Sequence, residues 1–282
     1  MSENVNQNNC NHQCSSCGVE GCGGRKDPAD MMFHLNPRSS VRKIIGVVSG
    51  KGGVGKSFVT SMLAAEMQRR GHRTAVLDGD ITGPSQAMAF GIHEPAMSDG
   101  EVTFPAVTPN GIQVISTNML LDRDDVPVLW RGPLVSGILK QFYEEVFWDD
   151  VDYMFVDMPP GTSDVPLTLF QSFPLDGIVV VTSPQELVSM VVAKAINMAK
   201  SMNVNIIGLI ENMAYVKCPC CDEKILAFGR SHIQETAAKY GLPVIAQVPL
   251  DPRIAEAGDA GTMEDLEIEE IKTAVDVLEN IG

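Results

Sequence analysis

The residues Gly50-Lys51-Gly52-Gly53-Val54-Gly55-Lys56-Ser57 have the types and the spacing to hold phosphate. Glycines let successive backbone N–H groups converge on phosphoryl oxygens, a lysine adds a point charge beside the β and γ phosphates, and a serine hydroxyl ligates Mg²⁺. The pattern G-x-x-x-x-G-K-S therefore points to a nucleoside triphosphate, with Lys56 on the phosphates and Ser57 on the metal. Lys51 puts a second lysine inside the same loop.

Two acidic stretches follow apolar runs: Leu77-Asp78-Gly79-Asp80-Ile81-Thr82-Gly83-Pro84-Ser85 and Asp157-Met158-Pro159-Pro160-Gly161-Thr162-Ser163-Asp164. An apolar strand ending in aspartate is the Walker B arrangement, so Asp157 is expected to hold Mg²⁺ directly or through water. Its bland alternative is a helix cap. The seven cysteines fall into two groups, Cys10, Cys14, Cys17 and Cys22 near the start and Cys218, Cys220 and Cys221 far downstream. Closely spaced thiols in a reducing compartment are read as metal or redox ligands before disulfides.

The elements that must position these groups alternate. Ile44 to Ser49 reads as a buried strand, and Ser57 to Arg70 as a helix with Met62, Leu63, Glu66 and Met67 at helical spacing. Further apolar strands are expected at Thr74 to Leu77, Gln113 to Ser116, Tyr153 to Val156, Gly177 to Thr182, Asn205 to Ile210 and Pro243 to Val248. Such continuous apolar runs predict an α/β fold, a mostly parallel sheet with helices on both faces, whose ligands sit beyond the C-terminal strand ends. Phe90 to Val126 breaks the rhythm with Pro, Gly and Asp and predicts a short hairpin beside the sheet. Residues 1–40 are polar, with four asparagines in the first nine and no apolar run, and are expected to be a flexible tail ahead of one domain over 41–282.

Composition narrows the class. Nothing approaches the ~20 apolar residues of a membrane span, and the start lacks a secretion signal, so a cytoplasmic protein is expected. The net charge is −15, and the last 32 residues carry ten acidic side chains against Arg253 and Lys272. Nucleic acids and anionic membranes attract positive charge, so neither is expected as a partner, and the acidic end reads as a solvated face. Met190, Met198 and Met202 read as core filling, and His34, His72 and His93 carry no partner pattern.

The paired lysines of the loop, the Asp78-to-Ser85 stretch and Asp157-x-Pro-Pro-Gly-Thr-x-Asp164 together resemble the deviant Walker A ATPases, which include nitrogenase iron protein and the ParA and MinD proteins. Within that group, Trp130-Arg131-Gly132-Pro133, Glu211-Asn212-Met213 and Cys218-Pro219-Cys220-Cys221 are most similar to the Mrp/ApbC/Nbp-type carriers of iron-sulfur clusters. The likeness covers about Val41 to Ile281.

This resemblance implies a homodimer that sandwiches two ATP molecules. Lys51 then reaches the partner's nucleotide, Asp80 positions the attacking water, Asp157 is the metal-linked switch carboxylate, and Asn212 reads adenine. It also implies a 4Fe-4S cluster bridging two subunits through Cys218 and Cys221 of each, and apo iron-sulfur proteins as clients. Cys220 leaves other pairings open, with the outer pair favoured because adjacent cysteines aim poorly at one metal centre. Cys10-x3-Cys14-x2-Cys17-x4-Cys22 resembles the N-terminal ferredoxin-like motif of longer carriers, with a shorter first spacing; a second 4Fe-4S cluster is expected there, zinc being the competitor. Two other functions share the ATPase core: a ParA- or MinD-like positioning switch, and an electron donor like nitrogenase iron protein.

Overall fold

Valine and isoleucine dominate the segments between the glycine- and proline-rich turns, and these segments fold as strands. The computed structural model describes residues 32–281 apart from 82, 121–131, 162–163, 185–187 and 222. Cys10, Cys14, Cys17 and Cys22, together with Trp130 and Arg131, lie outside the described residues, as does the Met190 side chain. The first half of the chain forms β1 (Val41–Ser49), α1 (Lys56–Arg69), β2 (Thr74–Asp78), α2 (Gln86–Ala89), β3 (Met97–Ser98), β4 (Thr103–Phe104), β5 (Ala106–Val107), β6 (Gln113–Ile115) and α3 (Gly132–Glu144). The second half forms β7 (Val151–Asp157), α4 (Asp164–Ser172), β8 (Gly177–Thr182), α5 (Val188–Ser201), β9 (Ile206–Glu211), β10 (Val216–Lys217), β11 (Lys224–Ile225), α6 (Ile233–Tyr240), β12 (Val244–Gln247), α7 (Pro252–Ala260) and α8 (Glu269–Glu279).

Eight strands make one sheet in the order β12-β9-β8-β1-β7-β2-β6-β5. Its pairings are parallel except at the edge, where β5 runs antiparallel to β6. The hairpin expected after Phe90 is β3 with β4, where Met97 faces Phe104. Side chains alternate across the sheet: Ile44 and Val48 of β1 join Leu139, Phe170, Ile196 and Ala237 of α3 to α6 in one layer. Ile45 and Val47 join Leu63, Met67, Ile254, Ile271 and Leu278 of α1, α7 and α8 in the other. Both sheet faces are thus covered, which is why these strands lack polar alternation.

The acidic C-terminal stretch is a 3-10 turn, Met263–Asp265, followed by α8. It is more than a solvated face, because Arg70 reaches Asp276 and Glu279 at 2.7 Å each. His72, which has no partner in the sequence pattern, lies 2.8 Å from Glu279 and edge-on to Tyr153. Met198 and Met202 pack on the core as expected. Among the described residues no helix is long and apolar enough to cross a membrane.

The loop after α2 meets the end of α7 through two glycines. Gly91 and Gly261 have φ of 66° and 69°, and a Cβ added to Gly261 would lie 2.5 Å from Gly91 Cα. Gly261→Ala therefore combines left-handed strain with a backbone clash and should cost about 2 kcal/mol or more of stability. Gly71→Ala shares the positive φ but meets nothing within 4 Å, so its loss should be the smaller one. Urea unfolding midpoints of the two variants check this ordering.

Candidate functional site

The loop between β1 and α1 turns through left-handed glycines, with φ of 81° at Gly53 and 76° at Gly55. Gly55 precedes α1 without a side-chain cap, so the first-turn N–H groups of that helix have no side chain from the cap position. Gly50 and Lys51 are half-exposed, Gly52 and Gly53 exposed, Val54 buried, and Ser57 half-buried. An uncapped helix N-terminus under a glycine loop suits a phosphate group. Gly55 has a second reason to lack a side chain, since its Cβ would lie 2.2 Å from Asn212 Nδ2. That amide donates instead to the Val54 carbonyl at 3.0 Å, holding the loop from below.

Three strand ends converge here. Register sets Asp157 of β7 beside Asp78 of β2 and Val47 of β1. Both carboxylates are completely buried. The Lys56 ammonium bonds Asp157 Oδ1, Thr60 Oγ1 donates to the same oxygen at 3.3 Å, and Gln86 Nε2 donates to Asp157 Oδ2 at 2.8 Å. Gln86 also donates to the Ser57 carbonyl at 3.0 Å and accepts from Ser61 Oγ at 2.7 Å. Asp78 accepts from the N–H groups of Asp80, Ser85 and Gln86 and from Ser116 Oγ, at 3.0 to 3.2 Å. Burial, and next the charge of Asp157, push the Asp78 carboxyl up to about 7 against the pull of these donors and of Lys56.

Asp78 thus organises the loop that carries Asp80, and Gln86 ties that loop to the start of α1. The motif spacing assigns neither role. An aspartate followed by glycine at the end of a buried strand is the local signal for the first; Gln86 has no spacing signature.

The cysteines stand on a separate two-stranded hairpin, in which Lys217 of β10 pairs with Lys224 of β11. Cys218 is half-exposed, and Cys220 and Cys221 are exposed. The Cys218 N–H donates to the Glu223 carbonyl at 3.1 Å, closing the turn. The thiol of Cys218 is held below its ordinary range by the Cys220 N–H and then by the side chain and N–H of Cys221. Among the described residues, no three His, Cys, Asp or Glu side chains form a metal-binding group.

A parallel sheet with a glycine loop leading into an uncapped helix, and a buried aspartate on the adjacent strand, defines the P-loop nucleoside triphosphatase class. The model of the family described as "ParA: NUBPL iron-transfer P-loop NTPase" matches residues 40–281, and the chain belongs to that family. An iron-sulfur cluster carrier protein of Clostridium perfringens is 43% identical over 261 residues, covering 90% of each chain. One from Methanocaldococcus jannaschii is 40% identical over 258 residues, covering 89% of each. A nucleotide-binding protein of Archaeoglobus fulgidus, solved with ADP, superposes with a TM-score of 0.73 at 37% identity over 82% of this chain and 91% of that one. The cell-division ATPase MinD of Pyrococcus furiosus shares the fold, with a TM-score of 0.56 at 20% identity, covering 84% of this chain and 97% of that one.

Two expectations follow from the geometry. Gly55→Ala must expel the Asn212 amide, so nucleotide affinity should fall by more than about tenfold, or 1.4 kcal/mol. Gly53→Ala, with open space around it, should fall less; titration calorimetry with ATP compares them. Asp78 keeps its proton more tightly when folded than when unfolded, so its contribution to stability is greatest at low pH. It declines as pH rises from the ordinary 3.8 toward about 7. Asp78→Asn removes that titration, so the variant should gain relative to the parent as pH rises through this window in urea unfolding.

Proposed function

We propose that this protein is an ATP-dependent carrier that holds a 4Fe-4S cluster as a homodimer and passes it to apo-proteins. One observation supports the reading above all: a glycine loop opening an uncapped helix and a two-stranded hairpin that carries Cys218 and Cys221 on its turn belong to one compact unit. Cys218 and Cys221 offer two thiolates per chain, and a cluster of this type takes four, so two chains complete it.

In this reading Lys56 exchanges Asp157 for the β and γ phosphates, and Asp157 and Ser57 become the groups for Mg²⁺, which neutralises phosphoryl charge. Gly50 to Gly55 supply N–H donors. Asn212 commits its Nδ2 to Val54 and so has its Oδ1 for adenine. Lys51 reaches the partner's nucleotide as an inserted cation, and Asp80 orients the attacking water. The tail over 1–40 holds a second cluster through Cys10, Cys14, Cys17 and Cys22, with zinc as the competing metal. The acidic C-terminal segment disfavours anionic membranes and nucleic acids as partners, consistent with a cytoplasmic carrier rather than a positioning switch.

Anaerobic reconstitution with iron and sulfide tests this. About four iron and four sulfide per dimer should be retained at the bridging site of a chain lacking residues 1–31, which keeps the core residue Phe33. Cys218→Ser and Cys221→Ser should lose them, and Cys220→Ser should keep them. Lys56→Ala should abolish ATP binding, whereas Lys51→Ala should bind ATP and lose hydrolysis. Retained iron in both outer-cysteine variants would sink the ligand assignment.

A further inference from the structure

Met213 to Lys217 lead from Asn212, which braces the glycine loop, to the turn that carries the cysteines, and backbone bonds hold this segment at Ala214 and Tyr215. At its start, Asn212 donates its side-chain amide to Val54 and its N–H to the Thr182 carbonyl at 2.8 Å. Met213 follows with φ of 57°, a left-handed conformation that costs a residue other than glycine, and its methyl lies 3.5 Å from a Cβ built on Gly55. Ala214 N–H donates to Val248 O at 2.9 Å, and Leu250 N–H donates to Tyr215 O at 2.7 Å, zipping the segment to the strand end after β12.

The far end is fixed by side chains. Tyr215 OH donates to Glu270 Oε1 at 2.6 Å, and Lys217 Nζ lies 2.9 Å from the same oxygen. Lys224 Nζ stands 4.0 Å over the Tyr215 ring from the other strand of the hairpin. Both strands carrying the cysteine turn are thereby clamped to one tyrosine and one carboxylate on α8. The clamp is only half-satisfied, because Glu270 Oε2 is buried and accepts no hydrogen bond.

We propose that Tyr215 and Glu270 are positioning residues that set the attitude of Cys218 and Cys221 according to what the P-loop holds. Phosphates that draw on the N–H groups of Gly52 to Gly55 shift the Val54 peptide, whose carbonyl accepts from Asn212, and hence Asn212 and Met213. The displacement passes along a segment with no slack to the Tyr215–Glu270 clamp, which carries the hairpin. Coupling of this kind is reciprocal, so a ligand on the cysteines alters nucleotide affinity by the same factor. The inference rests on nucleotide binding at the P-loop but not on iron, and its test uses the full chain free of iron.

The readout is the rate at which a maleimide labels Cys218 and Cys221, followed by mass spectrometry of their peptide, with and without MgATP. In the parent chain MgATP should change that rate by roughly fivefold or more, the lower end of ordinary coupling. Tyr215→Phe keeps the ring and the Lys224 contact, and Glu270→Gln keeps the shape. In each, labelling should no longer respond to MgATP while ATP affinity stays unchanged. A merely structural role would alter labelling equally with and without nucleotide and leave the response intact, which overturns the proposal. So does a parent chain that binds ATP without any change in labelling. A parent chain that binds no ATP overturns both this inference and the functional reading beneath it.

Discussion

Two carboxylates with no solvent exposure stand side by side on neighbouring strands, and one lysine ammonium lies against that of Asp157. Most of the local sequence answers to that constraint. Burial leaves their charges to be met by protein groups, and breaking a buried pair by removing one partner costs about 3 to 5 kcal/mol. Lys56, Thr60 and Gln86 meet Asp157, while backbone N–H groups and Ser116 meet Asp78. The loop after β2 adopts its path because Asp78 gathers the N–H groups of Asp80, Ser85 and Gln86 around one carboxylate. Asp80 is presented at the rim as a result.

The lysine that balances this core is also the one proposed to meet phosphate, so in that reading ligand binding at the loop and the internal electrostatics share one cation. Nothing in that arrangement is peculiar to metal delivery. MinD of Pyrococcus furiosus has the same sheet at 20% identity, and its likeness extends to the fold alone. Function in such folds lies in what is grafted onto the rim. Here the graft is a two-stranded hairpin with three cysteines, held by Tyr215 and Glu270 immediately after the residue that braces the loop.

The central strands were legible because their burial on both faces writes itself as unbroken Val and Ile runs, as in Gly177–Thr182. The edge strand Ala106–Val107 was not, since two residues carry no period and Pro109 follows closely. Within the site, the glycine loop and Asp157 announced themselves by spacing. Gln86 did not, because its importance comes from packing across a turn, and no local pattern distinguishes it from a solvated glutamine. The Asn212-to-Val54 bond joins residues 158 apart in sequence, a contact that only the closed sheet creates. His72 and the acidic α8 taught the converse, that charges which look solvated in sequence find partners when Arg70 lies beneath them.

The strand order also dictates when the site can exist during synthesis. β1 is made early, yet its two neighbours in the sheet are β7 and β8, the first of which begins at Val151. The loop after β1 therefore emerges from the ribosome long before the carboxylate that pairs its lysine or the amide that braces it from behind. Closing such distant contacts is entropically slow, and an incomplete parallel sheet exposes apolar edges meanwhile. Asn212 closes the brace only after β9 has joined the sheet, so a truncated nascent chain carries the phosphate motif in its sequence without the architecture that holds it.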